Sequence, residues 1–64
     1  MIVIGTTEEW TTLIEETMEF KLETCILEQI DINLSTSAKQ GIEVPEDLYD
    51  VLYSLADDCN IYLG

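Results

Sequence analysis

Between residues 8 and 23 the chain sorts two kinds of residue onto two sides of one axis. At about 100° per residue, Trp10, Leu13, Ile14, Thr17, Met18 and Lys21 fall on one side, and Glu8, Glu9, Glu15, Glu16, Glu19 and Glu23 on the other. One face can pack; the other is a row of carboxylates. Thr6 stands just ahead with Glu9 three residues on, the capping-box spacing in which a hydroxyl and a carboxylate each satisfy a free N–H of the first turn. Glutamates there also meet the positive end of the helix dipole. The spacing predicts a helix over residues 7–24.

Past residue 24 the pattern shifts. Ile26 and Ile30 project onto the side that had carried glutamates, and Phe20, Leu27 and Leu34 extend another edge, so the segment is apolar nearly all round. Two structures fit. In the favoured one a continuing or second helix runs over 25–40 and stops at Gly41, since Leu27, Ile30, Leu34, Ala38 and Gly41 keep a helical spacing, Lys39 suits a last turn and Ile42 follows as an apolar contact. In the other, the alternation Ile30-Asp31-Ile32-Asn33-Leu34 is a strand with one wet face.

Val44 ahead of Pro45 is forced extended, and Glu46 and Asp47 follow in a first turn. A helix over 45–57 then buries Leu48, Val51, Leu52 and Leu55, with Glu46, Asp50 and Asp57 opposite and Tyr49 and Tyr53 along one border. Asp57 and Asp58 at its C-terminal end oppose the dipole, a placement that asks for an explanation. Met1 to Ile4 and residues 60–63 read as short extended ends able to pair. The expected architecture is a single small acidic domain over 1–64, mostly α, with helices of about 7–24, 25–40 and 45–57. The alternative is α+β with a small sheet from residues 1–4, 30–34 and 60–63.

Composition sharpens this. A chain of 64 residues sits near the lower limit for a domain that folds without a staple or partner. A thin core and a mid-chain apolar on several sides make a homodimer the favoured state. The apolar share of 47% is too high for an intrinsically disordered chain. Cys25 and Cys59 are too few for a secreted disulfide framework and read as reduced structural thiols. The start carries no positive n-region, and no run approaches the ~20 apolar residues of a membrane span, so the expected location is the cytoplasm.

Chemistry is bounded by what is missing. The chain has no His and no glycine pattern of a nucleophile elbow, so neither serine nor cysteine has a visible activating base, and an enzyme is not expected. Adjacent carboxylates such as Glu15 and Glu16 diverge by about 100° on a helix and do not share a site. Asp57-Asp58-Cys59-Asn60 lacks the register of a calcium loop, and without His most zinc and copper sites are closed. No metal and no cofactor is expected.

The charge is the outlying number: fourteen Asp and Glu against two Lys, a net of −12. Solubility is served by about 2 to 8 charges in a small domain. Phosphate backbones and anionic lipids are repelled rather than bound, so the partner is basic, with neither direct nucleic-acid nor membrane binding. An ordinary solvated face mixes both signs; here only Lys21 and Lys39 oppose the acids. As one helix, Glu8, Glu15, Glu19 and Glu23 beside Glu9 and Glu16 would make a two-track line of charge roughly 22 Å long, able to enter a Lys- and Arg-lined channel built for nucleic acid. Glu46, Asp47, Asp50, Asp57 and Asp58 would widen the mimic, and Tyr49 and Tyr53 could anchor it. In length and acidity the chain is similar to the small anti-restriction and anti-CRISPR proteins of bacteriophages, a likeness of kind carried by no motif. It implies inhibition of a nucleic-acid-binding enzyme or complex in a host cytoplasm. The other expectation is an adaptor, regulatory or immunity-type protein that binds through an apolar or aromatic surface, such as a groove around Ile26, Ile30 and Ile32.

Overall fold

The computed structural model describes residues 1–64 and runs β1 (Ile2–Thr6), α1 (Thr7–Glu16), α2 (Phe20–Gln29), β2 (Lys39–Glu43) and α3 (Glu46–Asp58). Three helices hold 52% of the chain and a two-stranded antiparallel sheet 16%. The architecture is α+β, which replaces the mostly helical expectation. The N-terminal strand lies where the alternative sheet put it, but its partner is Lys39–Glu43, not residues 30–34.

The first helix begins as its sequence requires. Thr6 Oγ1 accepts from the Glu9 N–H at 3.1 Å and the Thr6 N–H donates to Glu9 Oε1 at 2.9 Å, closing the capping box. Thr6→Ala should therefore cost about 1 kcal/mol, read in thermal unfolding as a melting point lower by about 4–8 °C.

The single helix over 7–24 is not formed. The chain turns at residues 17–19 because its apolar pattern has two phases. Continued straight, at about 100° per residue, Leu22 and Ile26 would stand some 120–160° away from Trp10. Breaking the helix lets Trp10, Leu13, Leu22 and Ile26 all reach zero exposure, and burying a Leu or Ile side chain is worth ~1.5–3 kcal/mol. Local side chains meet the broken ladder: Thr17 Oγ1 accepts from the Glu19 N–H at 3.1 Å, and Glu19 caps α2 by accepting from the Lys21 N–H at 3.3 Å.

The helix expected over 25–40 ends at Gln29, and residues 30–38 form turns. Asp31 and the residues after it hold this path through their own groups: Asp31 Oδ1 accepts from Asn33 N–H at 3.0 Å and Ser35 O from Ala38 N–H at 3.0 Å. Such residues compete with helix by bonding nearby backbone. Two glutamines finish the work. The Gln40 amide exchanges bonds of 2.8 and 3.0 Å with the Asp31 backbone, and the Gln29 amide exchanges bonds of 2.7 and 2.9 Å with the Glu43 backbone. Each amide stands in for a neighbouring peptide. Leu27 and Leu34, whose spacing suggested one continuous helix, are about half exposed.

Gly41 is a strand residue rather than a left-handed helix stop. No glycine has a positive φ; that conformation belongs to Asn60 at 57°. Asn60 ends α3 with its N–H donating to Asp57 O at 3.1 Å while Ile61 N–H reaches Ala56 O at 2.8 Å, a Schellman closure. Pro45 precedes α3 as its cap residue instead of opening its first turn. The C-terminal tail lies beside β1, where Ile4 and Gly64 exchange backbone bonds of 2.9 and 2.8 Å without forming a strand.

One core results. Val3 and Ile42 face inward from the sheet and meet Trp10, Leu13, Leu22, Ile26, Val44, Leu48, Leu52 and Ala56. Val51, expected in the buried stripe, is exposed, Leu55 is partly buried and Ala56 takes the inner position. Ile2 and Ile4 alternate outward onto a sheet face with no cover. No helix is long and apolar enough to cross a membrane.

Candidate partner-binding surface

The break at 17–19 decides where the carboxylates go. Glu8, Glu15 and Glu16 remain exposed on α1, whereas Glu19 in the turn and Glu23 on α2 leave the line. Glu9 and Glu19 are also engaged as caps. The continuous glutamate track over 8–23 is therefore absent. The turn carries Glu16 and Glu19 toward α3 instead.

An open groove of about 770 Å³ lies there. Glu16, Thr17, Met18 and Glu19 form one wall, and Asp50, Val51, Ser54, Leu55 and Asp58 of α3 form the other. Four carboxylates chosen from the sequence thus surround one depression, drawn from both acidic segments. A second groove of about 630 Å³ lies between α2 and the start of α3, with Phe20, Cys25, Pro45 and Leu48 in its lining and Glu28, Glu43, Asp47 and Lys21 among its charged groups. Asp47, Asp50, Val51, Ser54 and Asp58 lie along one side of α3 at helical spacing, so that side serves both grooves.

The other chosen residues stand apart from both grooves. Glu46 and Asp57 are exposed on α3 roughly 100° around from Asp47 and Asp58. Tyr49 and Tyr53 are half-buried, packed on the core and tilted against each other at 41° with ring centroids 4.6 Å apart. The Tyr49 hydroxyl beside it, and then burial, push the Tyr53 phenol above its usual range. Ile26 is fully buried and Ile30 packs against the core, so the groove expected around them with Ile32 does not exist.

The sequence reading missed Met18 and Phe20. Met18 is fully exposed and Phe20 is 77% exposed, although the periodicity had put Met18 on the packing face. The change of phase between Trp10 and Leu13 on one side and Leu22 and Ile26 on the other was the available signal, because a break between them leaves both Met18 and Phe20 outside the core.

The electrostatics are one-sided. The only ion pair joins the Met1 amino group to Glu43 Oε1 at 2.7 Å, so thirteen of the fourteen acids have no cationic partner. Lys21 and Lys39 pair with nothing. No group of three or more ligand-type side chains is placed to hold a metal. Cys25 and Cys59 are free thiols. Burial raises the Cys25 thiol above its ordinary value, Gln29 opposes this, and the charges of Glu28 and Glu43 add to it, which disfavours the reactive thiolate. Comparison with family models, curated proteins and solved structures found no match.

Proposed function

We propose that this protein is a non-enzymatic binding protein that occupies a basic surface, most directly as a nucleic-acid-mimicking inhibitor of a basic nucleic-acid-binding protein of the kind that anti-restriction and anti-CRISPR proteins block. The observation that carries this reading is the thirteen exposed or half-exposed carboxylates without a cation, four of them gathered from α1, the turn after it and α3 around one groove. Unpaired acids destabilise a compact chain by mutual repulsion. A groove or channel lined with Lys and Arg relieves that repulsion as phosphate would, releasing counterions. The mimic is a patch shared by the end of α1, the turn after it and α3 rather than a straight two-track rod.

Capture from nuclease-treated bacterial lysate tests it. The expected partner is retained at ~50 mM salt, is largely released by ~200 mM salt, and is displaced by added duplex DNA or RNA. Retention that ignores salt and is not displaced by nucleic acid sinks the mimic reading. One observation favours the second reading, an adaptor, regulatory or immunity-type protein: Phe20, Leu27, Ile32 and Leu34 are all exposed, a large apolar outlay for 64 residues.

A further inference from the structure

We propose that the α1–α2 corner is a pair of apolar pegs, Met18 and Phe20, that anchor a basic amphipathic segment of a protein partner between the two acidic grooves. This rests on the reading that the partner is basic, and adds that the partner must be apolar at the point of contact.

The fold itself does not require these side chains. The turn is held by the Thr17 hydroxyl and the Glu19 carboxylate, and the core is closed by Leu22 and Ile26. Met18 nevertheless projects with its whole side chain in solvent, and Phe20 with 77% of its surface. Each borders one groove: Met18 with Val51 and the carboxylates of Glu16 and Asp50, Phe20 with Leu48 and Asp47. Apolar groups are thus interleaved with acids along the corner and the facing side of α3.

That alternation selects its occupant. Arginine and lysine stems lie along apolar surface while their heads reach carboxylates, and a guanidinium can also sit over the Phe20 ring. Apolar side chains on the same segment would cover Met18. A bare phosphate-binding groove gains nothing from either peg, whereas burying a Met or Phe is worth roughly tenfold or more in affinity each. A second copy fits badly, because a two-fold contact here sets Glu16, Glu19, Asp50 and Asp58 against their own like charges. Nucleic acid is repelled by the same groups.

The test uses two helical peptides of equal charge, one of leucine and arginine and one with every leucine replaced by glutamine. Both are titrated into the whole chain and into the Met18→Ser, Phe20→Ser double variant. Calorimetry gives affinity and amide NMR shifts give the site. The leucine peptide should bind the parent at least tenfold more tightly than the glutamine peptide, with shifts centred on residues 17–21 and on Val51 and Ser54. The double variant should lose that advantage while keeping its circular dichroism. An advantage that survives the double substitution overturns the proposal, as do shifts centred on Ile2 and Ile4, or a double variant that turns a dimeric parent into monomer. If both peptides bind equally, with affinity falling as salt rises, only the pegs are refuted. If neither binds, the basic-partner reading fails with them.

Discussion

Trp10→Ala should leave the chain largely unfolded at 25 °C. Trp10 is completely buried at the centre of the single core, and removing an indole from such a place costs about 3–5 kcal/mol. A domain below about 70 residues rarely holds more than ~3–5 kcal/mol in total, so the loss equals the reserve. Two further contacts fail with the ring. Its Nε1–H donates to Gln40 O at 3.0 Å, one of the bonds that tie α1 to β2, and the ring fills the space beside Gly5, where a Cβ would come within 3.1 Å of Nε1 and 2.8 Å of Leu63 Cδ2. Urea titration followed by far-ultraviolet circular dichroism reads the outcome. Trp10→Phe keeps much of the volume but not the hydrogen bond, and should still fold, with a lower midpoint. A Trp10→Ala protein with a cooperative transition near the parent midpoint would show that the core is elsewhere.

The elements that rest on local chemistry were legible in the sequence. Thr6 and Glu9 specify the start of α1 within four residues, and Val44, Pro45, Glu46 and Asp47 specify the start of α3; each is a short-range pattern with one structural meaning. The middle was not legible because its outcome depends on partners distant in sequence. Lys39 to Glu43 becomes a strand by pairing with Ile2 to Thr6, 33 to 41 positions away, and the Gln29 and Gln40 amides that pin residues 30–38 are generic polar residues until their backbone partners arrive. Periodicity alone also could not separate a helix apolar all round from two helices that each bury one phase. The packing of Trp10, Leu13, Leu22 and Ile26 into one core decided that.

The same distinction applies to the surface. Charge imbalance was visible as a count, and it directed attention to residues that do become exposed. Which acids lie together was set by the turn at Thr17 to Glu19, a tertiary result. That turn removed Glu19 and Glu23 from the line of Glu8 and Glu15, brought Glu16 and Glu19 opposite Asp50 and Asp58, and left Met18 and Phe20 outside the core. Acidic and apolar exposure therefore have one structural origin.

Neutralising Glu16, Asp50 and Asp58 together, as Glu16→Gln, Asp50→Asn and Asp58→Asn, should make the protein more stable and a poorer binder. None of the three carboxylates is held by a hydrogen bond or an ion pair within the chain. Glu16 is the last residue of α1 and Asp58 the last of α3, where a negative charge opposes the helix dipole at about 0.3–1 kcal/mol each. Asp50 adds repulsion within a chain of net charge −12, and the three substitutions reduce that to −9. A gain of about 1–2 kcal/mol follows, which in a domain this small raises the melting point by about 4–16 °C. Added salt should stabilise the parent more than the variant, since screening acts on the repulsion that the substitutions remove. The same variant should release a basic partner at lower salt, with a shallower dependence of affinity on salt concentration, because fewer cations are released or paired on binding. Acids that harm the fold at helix ends are accounted for if they serve recognition, the familiar exchange of stability for activity. Equal stability in parent and variant, or unchanged affinity with a gain in stability, would separate the grooves from function and leave Asp58 and Glu16 as mere surface charge.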